Sequence, residues 1–254
     1  MAGSDKRTPR SVPGLIAEAF GLYRRYPGLF PALAAGVIVP YQLIVLAATG
    51  TDPYNRASLS FGVSFLLTLI EWVLVNPLVS ALHVHAVADI EERLTPRIGA
   101  VARRGLAVLP VVAGAALVAG LGIVGGMVLL VIPGVVFFLR WHVVAQAAAI
   151  EHVGGRRALR RSWSLTEKNV IRVLFFFVCI AVIALVPGVP LGLVFRHHHT
   201  TALAFLVGTA VQVLIVSFTA LATSLLYYDL RCRREILAGE FERRLAQGEA
   251  GSFA

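Results

Sequence analysis

Charge is scarce along this chain of 254 residues. Only 15% are Asp, Glu, Lys or Arg, acidic residues number 14, and lysine occurs twice. With 57% hydrophobic residues and a mean hydropathy of +0.79, the chain has too little polar surface to cover a water-soluble globule of this length. Cysteine is nearly absent too, and Cys179 and Cys232 alone imply no disulfide framework. Enzyme signatures are missing: the sequence holds no G-x-S-x-G, no H-E-x-x-H, no Walker loop and no dinucleotide fingerprint on a strand-turn-helix. The expectation is a protein that is not an enzyme, with no cofactor.

What fills the chain instead is long apolar runs. A helix needs roughly 20 apolar residues to cross about 30 Å of hydrocarbon, and the sequence supplies such runs near 29–49, 60–88, 107–131, 134–152, 171–191 and 202–229. None shows the apolar-polar alternation of a membrane β-strand. The fold class expected is therefore all-α, a polytopic membrane protein with six transmembrane helices over 12–234, a disordered tail at 1–11 and a polar tail at 235–254. Ala115, Ala119, Gly122 and Gly126 form a ridge of small residues that places the third span at the centre of the bundle. Phe175, Phe176 and Phe177 mark the fifth span as peripheral, and Pro187 and Pro190 are expected to break its outer end.

The basic residues are one-sided. Of 23 Lys and Arg, 20 lie before the first span, in the connections 89–105 and 153–172, and after the last span, whereas the other connections hold Arg56 and Arg196. That asymmetry predicts both termini to be cytoplasmic. Three of the basic segments carry an apolar stripe and read as interfacial helices that lie flat in the headgroup region: one on Leu15, Ile16, Ala19 and Tyr23, one on Ile98, Val101, Ala102 and Gly105, and one opposite Arg157, Arg160 and Arg161. Each would precede a pair of spans, giving three helix-hairpin units. Pro133-Gly134 and Pro187-Gly188 suit tight turns between paired spans.

The candidate headgroup contacts are Arg24, Arg25, Arg103, Arg104, Arg157, Arg160, Arg161 and Lys168. Arginine outnumbers lysine 21 to 2, which favours bidentate contacts to phosphate. Anionic lipid is the expected partner and nucleic acid is not, because the basic residues border spans. Within the spans, Glu71, Arg140 and His142 are costly to insert. Counted from the outer ends they lie roughly 16, 9 and 12 Å deep, so a Glu71–Arg140 pair with His142 beside it is within reach, and Glu71 stands as the lone buried acid. Two readings follow: an internal pair that fixes helix register, or a polar pathway for a small solute or ion. The i, i+2 spacing of His83 and His85 and the carboxylate-free run His197, His198 and His199 argue against a dedicated metal site.

Several strings together resemble a known group: FGLYRRYP at 20–27, VIPGVVFFLRWHVVAQAAAIE at 131–151, ALRRSWSLTEKN at 158–169 and LLYYDLR at 225–231. They are similar to bacterial six-span membrane proteins related to the membrane domain fused to some glycerophosphodiester phosphodiesterases. The resemblance implies a stand-alone domain in the bacterial cytoplasmic membrane and supplies no catalytic residue. The function expected is that of a lipid-interacting, organising or accessory membrane module, as a homo-oligomer or with a membrane-protein partner; transport through Glu71, Arg140 and His142 is the alternative.

Overall fold

The computed structural model describes residues 9–50, 59–195 and 202–246 and contains no strand among them. Six helical stretches are long and apolar enough to cross a membrane: Leu29–Thr49, Phe61–Glu91, Ile98–Leu129, Val131–Glu151, Val170–Pro187 and Ala202–Gly239. The chain is an all-α polytopic membrane protein. The end of the bundle that holds the arginine-rich segments is called the basic end below.

Helix α1 (Val12–Arg25) is started by Ser11, whose Oγ accepts from the Gly14 N–H at 3.2 Å, with Pro13 in the first turn. Its apolar stripe, Val12, Leu15 and Ala19, is buried against protein. The helix does not lie flat. It stands along α10 (Ala202–Ala246), with the Arg10 N–H on Asp229 at one end and the Tyr23 hydroxyl 3.4 Å from the Leu214 carbonyl at the other. Those two contacts are roughly four turns of α10 apart. Periodicity showed that α1 has an apolar face, and it could not show whether lipid or a neighbouring helix covers it. The expected disordered tail is likewise corrected at Arg10 and Ser11, which are tied into the bundle.

Helix α2 (Leu29–Thr49) packs on α10. The second span bends: α3 (Phe61–Ile70) passes through a π-helical turn, Glu71–Val75, into α4 (Asn76–Glu91). The cause is Pro77, which has no N–H for the Val73 carbonyl and whose ring would strike it. The Asn76 N–H then reaches back five residues to the Glu71 carbonyl.

Helix α5 (Ile98–Leu129) is central, packed against α4, α6 (Val131–Arg140), α7 (Val144–Glu151) and α8 (Gly155–Thr166). Ala115, Ala119 and Gly126 on the small-residue ridge are buried. The expected interfacial helix at 98–105 is not separate, because α5 runs unbroken through it. Gly105 lets this part of α5 pack closely on α4: a Cβ there would come 2.5 Å from Leu82 Cδ2. The link to α6 is the single extended residue Leu130, and Pro133 and Gly134 lie within the first turns of α6 rather than in a turn.

Between α6 and α7 the helix breaks at Trp141–Val143. The Val144 N–H, which a continuous helix would aim at Arg140, bonds the Trp141 carbonyl at 3.1 Å. Helix α8 supplies the missing donors: Ser162 Oγ reaches the Arg140 carbonyl at 2.8 Å and Thr166 Oγ1 reaches it at 3.2 Å. Helix α8 lays Ala158, Ser162, Leu165 and Thr166 against the bundle, so its buried face meets protein. Helix α9 (Val170–Phe195) is peripheral and leaves Ile171, Phe175, Val178 and Val182 exposed, although Phe176 is buried. It continues through Pro187 and Pro190 instead of breaking, and α10 carries helix to Ala246 through the start of the expected tail.

Candidate functional site at the basic end

Three acids organise the basic end. Asp229, whose side chain is 4% exposed, sits between Arg172 (Nη2–Oδ2, 2.9 Å) and Arg233 (Nε–Oδ2, 2.8 Å) and accepts the Arg10 N–H at 2.8 Å. The Arg10 carbonyl in turn accepts from Arg172 and from Arg233, the latter at 2.8 Å. This knot joins the start of α1, the start of α9 and the end of the apolar part of α10. Glu151 Oε1 accepts from Arg161 Nε at 2.6 Å and from the Tyr227 hydroxyl at 3.0 Å. Asp89 accepts from Arg104 Nη2 at 2.5 Å.

These pairs divide the eight candidate headgroup contacts. Arg104 and Arg161 are held by Asp89 and Glu151. Arg24, Arg25, Arg103, Arg157, Arg160 and Lys168 are exposed and make no ion pair among the described residues. Sequence reasoning missed Asp89 and Asp229 and counted Glu71 as the lone buried acid, which is corrected here: Asp89 and Asp229 are 6% and 7% exposed. The signal was present, since each is the first acid at the end of an apolar run.

The structure does not bring the intramembrane cluster together. Arg140 lies over the Trp163 ring at 4.8 Å, and its Nε and Nη1 are buried without a hydrogen-bond partner. His142 sits among Phe138, Phe176 and Phe177, with ring centroids 5.7–6.3 Å away. Glu71 opens the π-turn on another wall, and its neighbour Trp72 faces α5 at Gly120, whereas Trp141 faces α5 at Gly122. Residues two apart on a helix point to nearly opposite sides, so α5 stands between the two groups. His83 is a satisfied core histidine: Nδ1 lies 2.8 Å from the Val79 carbonyl, Nε2 lies 2.9 Å from Ser217 Oγ, and the ring stacks on Phe30. No cluster of three or more metal-binding side chains occurs among the described residues; His197, His198 and His199 lie outside them.

Two depressions among the described residues bear on ligand binding. One, of about 560 Å³, opens between the basic-end termini of α4, α5, α7 and α10. The other is an apolar groove of about 220 Å³ between α1, α9 and α10, lined by Phe20, Tyr23, Ile183, Pro187, Leu214 and Phe218. Burial pushes the Tyr23 phenol up from its ordinary value, with a partial offset from Ser217, so it meets the groove as a neutral hydroxyl. No family model, curated protein or solved structure matches this chain.

Proposed function

We propose that this protein is a non-enzymatic membrane module that holds anionic lipids against its exposed arginines, in the cytoplasmic leaflet of a bacterial cytoplasmic membrane, with both termini cytoplasmic. The observation that carries the reading is the apolar groove beside α1. Tyr23 forms part of its wall, and the exposed Arg24 and Arg25 follow directly. An acyl chain in the groove leaves its phosphate beside two guanidiniums, each able to make bidentate contacts. Arg157 and Arg160 on α8 are exposed as well. The likeness of the four quoted strings to the membrane domain of glycerophosphodiester phosphodiesterases supports the membrane location.

Lipid retention in gently purified protein tests it. Native mass spectrometry is expected to find phosphatidylglycerol or cardiolipin bound. Arg24→Glu/Arg25→Glu removes about 2 kcal/mol at roughly 1 kcal/mol per basic residue, a fall of roughly thirtyfold in affinity. Ala184→Trp, which fills the groove, is expected to lower retention without changing surface charge. Equal anionic lipid in the parent, the charge reversal and the filled groove would sink the reading.

A further inference from the structure

Arg140 is a cation within a span, and it makes no ion pair among the described residues. Its Nε and Nη1 are enclosed without a hydrogen-bond partner, whereas Nη2 is not enclosed. Helix α8 nevertheless fixes its place. Ser162 and Thr166 hold the Arg140 carbonyl at 2.8 and 3.2 Å, and the guanidinium lies over the Trp163 ring at 4.8 Å. Attraction to a ring face orients a cation but does not neutralise it. Side chains on a helix lean back over the preceding turn, so the Trp163 ring lies toward the turn that carries Arg160. Arg156, Arg160, Trp163 and Glu167 recur at the spacing of one helix face. Arg156, Arg160 and Glu167 are exposed, and none of them makes an ion pair among the described residues. With Arg140 above Trp163, this face gathers three cations and one acid. Phe137, whose ring is 6.3 Å from Trp163 and 4.8 Å from Trp141, adds half-buried aromatic surface beside it.

We propose that Arg140 and this face of α8 bind a phosphate monoester, the headgroup chemistry of phosphatidic acid. The surplus of positive charge on the face is two, and a phosphate monoester carries nearly two negative charges at neutral pH on three terminal oxygens. One oxygen takes Arg140 Nη2, and a second takes the fork of Arg160 from the exposed side. The negative charge also offsets the enclosed part of the Arg140 guanidinium through space, which no carboxylate of the protein does. A phosphodiester brings one charge and two free oxygens, so it leaves one of the two guanidiniums unmatched. The acyl chains of a lipid ligand lie against Phe137 and Trp141. None of these residues lines the groove beside α1, and the inference does not rest on that groove.

Calorimetric titration of the detergent-purified full-length protein tests this, with dioctanoyl phosphatidic acid, dioctanoyl phosphatidylglycerol and inorganic phosphate as separate probes. Phosphatidic acid is expected to bind roughly tenfold more tightly than phosphatidylglycerol. Saturation by inorganic phosphate as well identifies a soluble ligand, and saturation by phosphatidic acid alone identifies a membrane headgroup; both support the proposal. Arg140→Gln and Arg160→Gln are each expected to weaken phosphatidic acid binding roughly tenfold. Arg160 is exposed, so its variant keeps the parent's unfolding temperature. Arg140→Gln removes an enclosed charge that has no partner, so without lipid it unfolds no lower than the parent. Phosphatidic acid then raises the parent's midpoint and leaves that of Arg140→Gln in place. Phosphatidylglycerol binding as tightly as phosphatidic acid, no binding of any probe, or unchanged binding in both variants overturns the proposal. The Arg24→Glu/Arg25→Glu variant is expected to keep the preference for phosphatidic acid, which separates failure here from failure of the α1 groove.

Discussion

Asp229→Asn is expected to lower the thermal unfolding midpoint of the detergent-purified protein by roughly 6–20 °C. That follows from a loss of about 3–5 kcal/mol for removing one member of a buried ion pair, at about 2–4 °C per kcal/mol for a chain of this size. The size of the effect comes from what would be left behind. Arg172 and Arg233 have side chains only 16% and 26% exposed, and both lean on Asp229 and on the Arg10 carbonyl. The amide keeps the shape of the carboxylate and removes its charge, leaving two guanidiniums facing each other across the joint of α1, α9 and α10. Arg231→Gln is the matched control: its partner Glu235 is 64% exposed, and an exposed pair of that kind contributes about 0–1 kcal/mol. Adding Arg172→Met to Asp229→Asn should recover part of the loss, because it removes one stranded charge. A midpoint within 2 °C of the parent for Asp229→Asn would show that the knot does not hold these helices together.

Gly134→Ala is expected to cost about 1–3 kcal/mol, the usual range for overpacking, or roughly 2–12 °C in the midpoint. The new methyl would stand 2.5 Å from Met127 Cγ and 2.6 Å from the Met127 backbone nitrogen. A side chain can swing aside, but the backbone of α5 cannot. Gly126 faces the same contact from the other helix, with a Cβ there only 3.0 Å from Gly134 Cα. Gly120→Ala on α5 is the control: the nearest neighbour atom is Trp72 Cε3 at 3.9 Å, an ordinary contact, so no loss is expected. Equal midpoints for the Gly134 and Gly120 variants would remove the close α5–α6 approach as a source of stability.

The ridge Ala115, Ala119 and Gly126 made the centrality of α5 legible, because small side chains in an apolar run have few uses besides close helix approach. Pro77 causes the bend beside Glu71 through its missing N–H. The proline-glycine pairs misled: Pro133 and Gly134 fit the first turns of α6, and Pro187 and Pro190 are carried within α9. A proline disrupts the carbonyl one turn earlier, so its position alone does not say where a helix ends.

The sites were less legible than the spans. Glu71 and Arg140 have compatible depths, yet depth along a helix axis carries no information about direction around it, and α5 lies between them. The arginines were visible individually, but their partners were not. Asp229 meets Arg10 from the far end of the chain and Arg172 from another span.

The number of spans, the all-α class and the gathering of arginine in particular segments follow from the sequence by itself. The cost of moving about 20 residues into hydrocarbon is local and additive, and a run of that length reads the same in any fold. Only the tertiary structure decided which cations are neutralised within the protein and which stay exposed. Ion pairing depends on the rotation and register of helices far apart in the chain, and the packing of α1 along α10 and of α8 across the α6–α7 break sets both.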